Sequence, residues 1–214
     1  RGALGLARRL LPPAGRAAGI VSAVFAPALA SYTAVLISNT AVPSWHAAYP
    51  ELPFVFTGSA LASGGGVGLL AAPPAQQGPA RAMAAAGAVV ELFFERRVEH
   101  GMGLLSEPFQ HGRAGRLLRT SQILTVSGVV AAFLGRRSRF VTAAAGLALL
   151  GGSLTTRFGI YEGGVESAKD PKYTVIPQRE RLAARARHNG AGQQDGGAPR
   201  PGAPQPRARS QSPA

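Results

Sequence analysis

Five long apolar stretches, at residues 17–42, 53–72, 82–98, 120–134 and 140–156, divide this chain, and polar or arginine-bearing connectors separate them. They constrain the fold more than any motif does, because a water-soluble core has no use for so many segments nearly free of charge. A helix needs about 20 residues, at about 1.5 Å each, to cross a hydrocarbon layer. The first two stretches are long enough outright. The third contains Glu91 and runs into Glu95, Arg96 and Arg97, and the last two reach full length only if flanking arginines snorkel. The expectation is an all-α integral membrane bundle with about five transmembrane helices.

Charge agrees with that placement. The chain has 23 Lys+Arg against 10 Asp+Glu, a formal charge of +13 that in a soluble protein would point to nucleic acid. The arginines instead mark the ends of the apolar stretches: Arg8, Arg9 and Arg16; Arg96 and Arg97; Arg113, Arg116 and Arg119; Arg136, Arg137 and Arg139. Those are the sites at which a membrane protein meets lipid headgroups, and no aromatic stacking platform accompanies them, so no nucleic-acid partner is expected. Basic residues divide almost evenly between the two sides, so the positive-inside rule assigns no orientation. There is no cysteine, which excludes disulfides, thiolate-held zinc and iron–sulfur clusters on this chain. His46, His100, His111 and His188 lie outside the apolar stretches and lack the spacing that clamps haem or metal.

The expected organisation is an interfacial lead-in at 1–16, a transmembrane bundle at 17–159, a polar segment at 160–188 and a tail at 189–214. The tail, rich in Gly, Pro, Gln and Arg, has too few apolar side chains to offset the entropy of ordering and is expected to be disordered. Because it begins at Arg1 rather than a methionine, the chain reads as a fragment.

Candidate functional residues are the polar ones inside or beside the spans. Gly58, Ala62 and Gly66 recur every fourth position and form a small-residue seam for helix packing. The run Ser63-Gly64-Gly65-Gly66 lacks the Lys-Ser/Thr of a phosphate loop. Glu91 lies well inside the third stretch, where an ionised carboxylate is costly; it is either a proton relay or a headgroup-level residue beside Arg96 or Arg97. Tyr32 and Asn39 belong to a polar string in the first stretch, suited either to a quinone carbonyl or to bonding within the helix. In the connector after it, His46 and Glu51 offer a surface proton pair or two solvated side chains, while Trp45 and Tyr49 read as interfacial belt residues.

These same residues carry a resemblance. Tyr32-Thr33-Ala34-Val35-Leu36, Val42-Pro43-Ser44-Trp45-His46, Glu51-Leu52-Pro53-Phe54 and Gly58-Ser59-Ala60-Leu61 resemble the NrfD-like family, the membrane subunits of polysulfide-reductase-type complexes. The likeness continues through Gly112-Arg113-Ala114-Gly115-Arg116-Leu117-Leu118-Arg119, Leu154-Thr155-Thr156-Arg157-Phe158-Gly159 and Ala168-Lys169-Asp170-Pro171-Lys172-Tyr173-Thr174-Val175. It implies a bundle of about eight helices, of which this chain corresponds to the last five, in a bacterial plasma membrane. The Ala- and Arg-rich style is that of a high-GC bacterium, an actinobacterium. It further implies a non-catalytic subunit that exchanges electrons between membrane quinone and an iron–sulfur partner, which serves a molybdopterin catalytic subunit. No cofactor is then expected on this chain. The alternative class is a transporter or proton-conducting membrane protein using Glu91.

Overall fold

A computed structural model describes residues 2–195, with side-chain surroundings for residues 11–187. Every regular element among them is helical: α1 (Gly2–Ser38), α2 (Pro43–Ala47), α3 (Leu52–Ala71), α4 (Gly78–His100), α5 (Glu107–Gln110), α6 (Gly112–Leu134), α7 (Arg139–Lys169) and α8 (Lys172–Asp195), with short 3-10 turns at Pro74–Gln76 and Gly103–Ser106. Each of the five apolar stretches falls largely within one long helix. By length and composition, three segments suffice to cross a membrane: Leu11–Ser38, Leu52–Ala71 and Gly112–Leu134.

The helix limits follow local chemistry. Pro43, Pro53 and Pro79 stand in first turns, where a missing N–H costs nothing. Ala72 is extended ahead of Pro73 and Pro74, which stops α3. Ser138 caps α7, its hydroxyl accepting from Val141 N–H at 3.4 Å. Gly112 takes φ +63°, so the break between α5 and α6 needs a residue without a Cβ.

Several boundaries differ from the sequence reading. The expected lead-in is helical from Gly2 and continuous with the first stretch, because α1 runs unbroken from Gly2 to Ser38, with Pro12, Pro13 and Pro27 inside it. The first stretch ends there rather than at 42. The 160–188 segment is helical too, as the last turns of α7 and most of α8. Helix also covers 189–195, the beginning of the expected tail; α8 contains the good helix formers Leu182-Ala183-Ala184-Arg185-Ala186-Arg187, which carry it past the boundary drawn from composition. The rest of the tail, 196–214, lies outside the described residues.

The helical bundle ends at Tyr173, and the chain from Thr174 is a separate unit. Within the bundle α3 packs on α4 and α7, α6 packs on α7 and more lightly on α4, and α1 touches α3 from outside. The turns sort to two ends. At one, Ser44 donates its hydroxyl to Leu105 O (3.0 Å) and its N–H to Ser167 Oγ (3.3 Å), which joins the connector after α1, the loop after α4 and the end of α7. At the other, Arg139 donates to Leu70 O and to Ala72 O (2.8 Å), which joins the end of α3 to the start of α7.

The packing is inverted relative to a soluble protein. Ser59, Glu91, Glu95, Ser121, Thr125, Ser153 and Thr156 are inside, while Leu29, Val67, Val89, Phe93, Ile123, Val130, Leu147 and Leu154 face outward. That pattern belongs to a chain whose solvent is lipid.

Candidate functional site

Close helix contact positions the polar interior. A Cβ on Gly58 would lie 2.5 Å from Glu91 N and 2.9 Å from Gly87 O, and one on Gly66 would lie 2.8 Å from Gly146 O. Hence Gly58 and Ala62 seat α3 against α4, whereas Gly66 seats it against α7. Two apolar clusters result. Leu52, Val55, Phe56, Val98, Phe109, Leu118 and Ile160 belong to the one beneath the Ser44 end; Ala62, Leu69, Ala84, Ala132, Ala145 and Leu149 form the other.

Between the clusters lies a layer of polar side chains contributed by four helices. Thr156 donates its hydroxyl to Glu91 Oε1 at 2.7 Å and is itself bonded to Ser121, whose hydroxyl also reaches Gly152 O at 2.9 Å. Ser59 donates to Ser153 at 2.8 Å in the same layer. Glu91 is 1% exposed, and its other oxygen has no partner among the described residues. Packing thus places it in the interior of the helical bundle.

Glu91 is not alone. Glu95, one turn on, is 0% exposed, and neither of its oxygens has a hydrogen-bond partner among the described residues. Glu99, another turn on, accepts from Gln122 Nε2 at 2.9 Å. With four residues per step, the three carboxylates form a row about 12 Å long on one side of α4. The row ends at a cavity of about 250 Å3 whose lining includes Glu99, His100, Gln110, His111, Arg119 and Gln122. Glu91 and Glu95 are thus buried carboxyl groups with no ion-pair partner among the described residues, a costly placement in apolar surroundings. A cavity of about 730 Å3 lies on the outer face of α4, and these three carboxylates do not line it.

The remaining sequence candidates are dispersed. Asn39 and His46 share a cavity of about 260 Å3 with Val35, Ser38 and Tyr49. Nδ1 of His46 lies 3.1 Å from Ser38 O, while Glu51 faces Arg97 at 3.7 Å, so His46 and Glu51 are not joined as a proton pair. Tyr32 is exposed on α1. Trp45 is more than a belt residue: its indole donates to Ile160 O at 2.8 Å and lies against Gly164, locking α2 onto α7.

At the same end, Glu107 accepts from Lys172 Nζ at 3.2 Å through Oε1, with Oε2 at 3.1 Å. That hydrogen bond holds the Lys172 ammonium above its ordinary 10.5, while burial pushes the Tyr173 hydroxyl up from 10.0.

Sequence reasoning singled out Glu91 and passed over Glu95 and Glu99, reading Glu95 as part of a charged run with Arg96 and Arg97. The spacing of four from Glu91 was the available signal. Comparisons with family models, with curated proteins and with solved structures gave no match.

Proposed function

We propose that the chain is a multi-pass subunit of a quinone-linked respiratory oxidoreductase of the polysulfide-reductase type, resident in a bacterial plasma membrane. In this reading α1, α3, α4, α6 and α7 all cross the bilayer. The alternation of their turns between two ends supports five crossings, as do the outward-facing Val89 and Phe93 on α4 and Leu147 and Leu154 on α7.

One observation carries the functional reading: Glu91 and Glu95 are buried, without a salt bridge, in the middle of a bundle whose outside is apolar. Quinone reduction takes up protons and quinol oxidation releases them, and a buried carboxyl that holds or passes one proton at a time suits that exchange. Electrons would travel on an iron–sulfur partner and a molybdopterin catalytic partner, since the chain has no cysteine to hold clusters.

The residues that carry the family resemblance also converge. Ser44, Trp45 and Lys172 meet at one end of the bundle, Lys172 through an ion pair with Glu107, and there the charged side chains of Glu51, Arg97, Arg113 and Glu162 offer a partner a polar docking face. The carboxylate row equally supports the second reading, a proton-conducting membrane protein without a redox partner.

Expression together with the neighbouring reading frames separates the two. Co-purification of a chain with four-cysteine runs, and quinol-driven reduction of its clusters, is the expected result. Isolation of this chain alone, with proton conductance in vesicles, would favour the second reading.

A further inference from the structure

We propose that the Glu99–Glu95–Glu91 row is a one-sided proton path that opens to the membrane face carrying residues 101–111 and closes at the polar layer in mid-bundle. The proposal rests on the membrane placement given above, and it is independent of whether the partner is a redox chain.

The open end is the cavity beside Glu99, which His100, Gln110, His111 and Arg119 also line. Glu99 is half-buried and held by Gln122, so it lies between that cavity and the interior. Glu95 is the decisive group. It is fully buried, both its oxygens are unpartnered, and it lies one helical turn from each of the other two. A proton entering as Glu99 COOH passes to the Glu95 carboxylate and then to Glu91 Oε2, which lacks a partner. Each step breaks one O–H bond, forms another and moves one negative charge the opposite way. Glu91 Oε1 is tethered by Thr156, which keeps the terminal carboxyl pointed into the layer of Ser59, Ser121 and Ser153.

Charged groups nearby come from other sides. Arg157 of α7 lies over the Phe56 ring, 5.0 Å from its centroid, on the Glu91 side, and Arg96, His100 and Arg119 surround Glu99. None of them forms an ion pair with Glu91 or Glu95 among the described residues.

Beyond Glu91 the bundle is shut. Gly58 meets Gly87 and the Glu91 backbone, Gly65 meets Ala84, and Gly66 meets Gly146, all at distances that leave no room even for a Cβ. The next layer is the apolar cluster of Ala62, Leu69, Ala84, Ala132, Ala145 and Leu149. Past it stands Arg81, whose buried positive charge opposes a proton arriving from that side.

The test uses the full chain with its partners in sealed lipid vesicles, probed by dicyclohexylcarbodiimide, which is membrane-soluble and forms adducts with protonated carboxyls in apolar surroundings. Peptide mass spectrometry locates the adducts while the pH is changed on one side at a time. Labelling of Glu95 and Glu91 is expected to follow the pH of the compartment facing residues 101–111 and to ignore the other compartment. Glu99→Gln, and independently Gln122→Leu, should slow that response, by about a hundredfold for Glu99→Gln. Labelling that follows the opposite compartment or both equally would overturn the one-sided path. So would labelling confined to Glu99, or an unchanged response in both variants. Loss of quinol-driven turnover with one-sided labelling intact would count against the respiratory reading alone.

Discussion

The bundle buries charge in two places and treats it in opposite ways. At the far end Arg81 donates to Ala132 O at 2.8 Å and to Gln77 Oε1 at 2.9 Å, while Gln77 donates to Leu69 O and Ala72 O. Arg139 adds donors to the same group of carbonyls. Gln77 and Arg139 satisfy carbonyls left free at the end of α3 and Arg81 one at the end of α6, and the positive charge of the two arginines suits a helix C-terminus. In mid-bundle, Glu91 keeps one free oxygen and Glu95 two. A buried group with its partners in place holds structure together. One without them costs stability, and the cost points to a use beyond packing.

Removing a satisfied group should therefore hurt most. Arg81→Ala leaves the Gln77 carbonyl and Ala132 O unpaired and should cost about 3 kcal/mol in unfolding from detergent micelles. A change under about 1 kcal/mol would erase the distinction drawn here. Gly58→Ala forces a Cβ into the α4 backbone beside Glu91 and should cost about 2 kcal/mol while shifting the polar layer. An unaltered thermal midpoint would show that α3 and α4 can separate cheaply.

Glu95→Gln should lie on the other side of the comparison, within about 1 kcal/mol of the parent or above it, because a neutral amide removes an unpaired carboxyl. Strong destabilisation would mean that Glu95 is structurally satisfied after all. Glu91→Gln keeps size and polarity but cannot relay a proton. Unchanged quinol-coupled turnover and proton release in the complete complex would discard the relay role.

The smallest effect belongs to the exposed Lys172–Glu107 pair. The ammonium is held above 10.5, so its contribution is fully present below that value and lost as pH rises through the raised one. Lys172→Met should differ slightly from the parent at neutral pH and converge with it in strong alkali, as read by thermal unfolding across pH. A difference that grows with pH would reverse the sign.

Much of the helical layout was legible before any coordinates. The runs around Leu52–Ala71 and Gly112–Leu134 announce themselves because lipid demands apolar side chains along a whole crossing. Glu91 stood out because a carboxylate breaks such a run. Glu95 did not, since it adjoins Arg96 in the linear chain while pointing elsewhere in the helix. Asn39 and His46 were near neighbours in sequence and do share a cavity, but Glu51 turns away to Arg97.

The sequence by itself determined that this chain is helical and suited to lipid, because hydrophobic run length and backbone hydrogen bonding are local properties. Which helices touch is not local. The tertiary structure alone brought Thr156 and Ser121 from α7 and α6 to Glu91, and it set Trp45 against Gly164 and closed the bundle between Gly66 and Gly146. Those contacts depend on the depth and rotation at which helices meet, and small residues spaced four apart permit several such meetings before packing selects one.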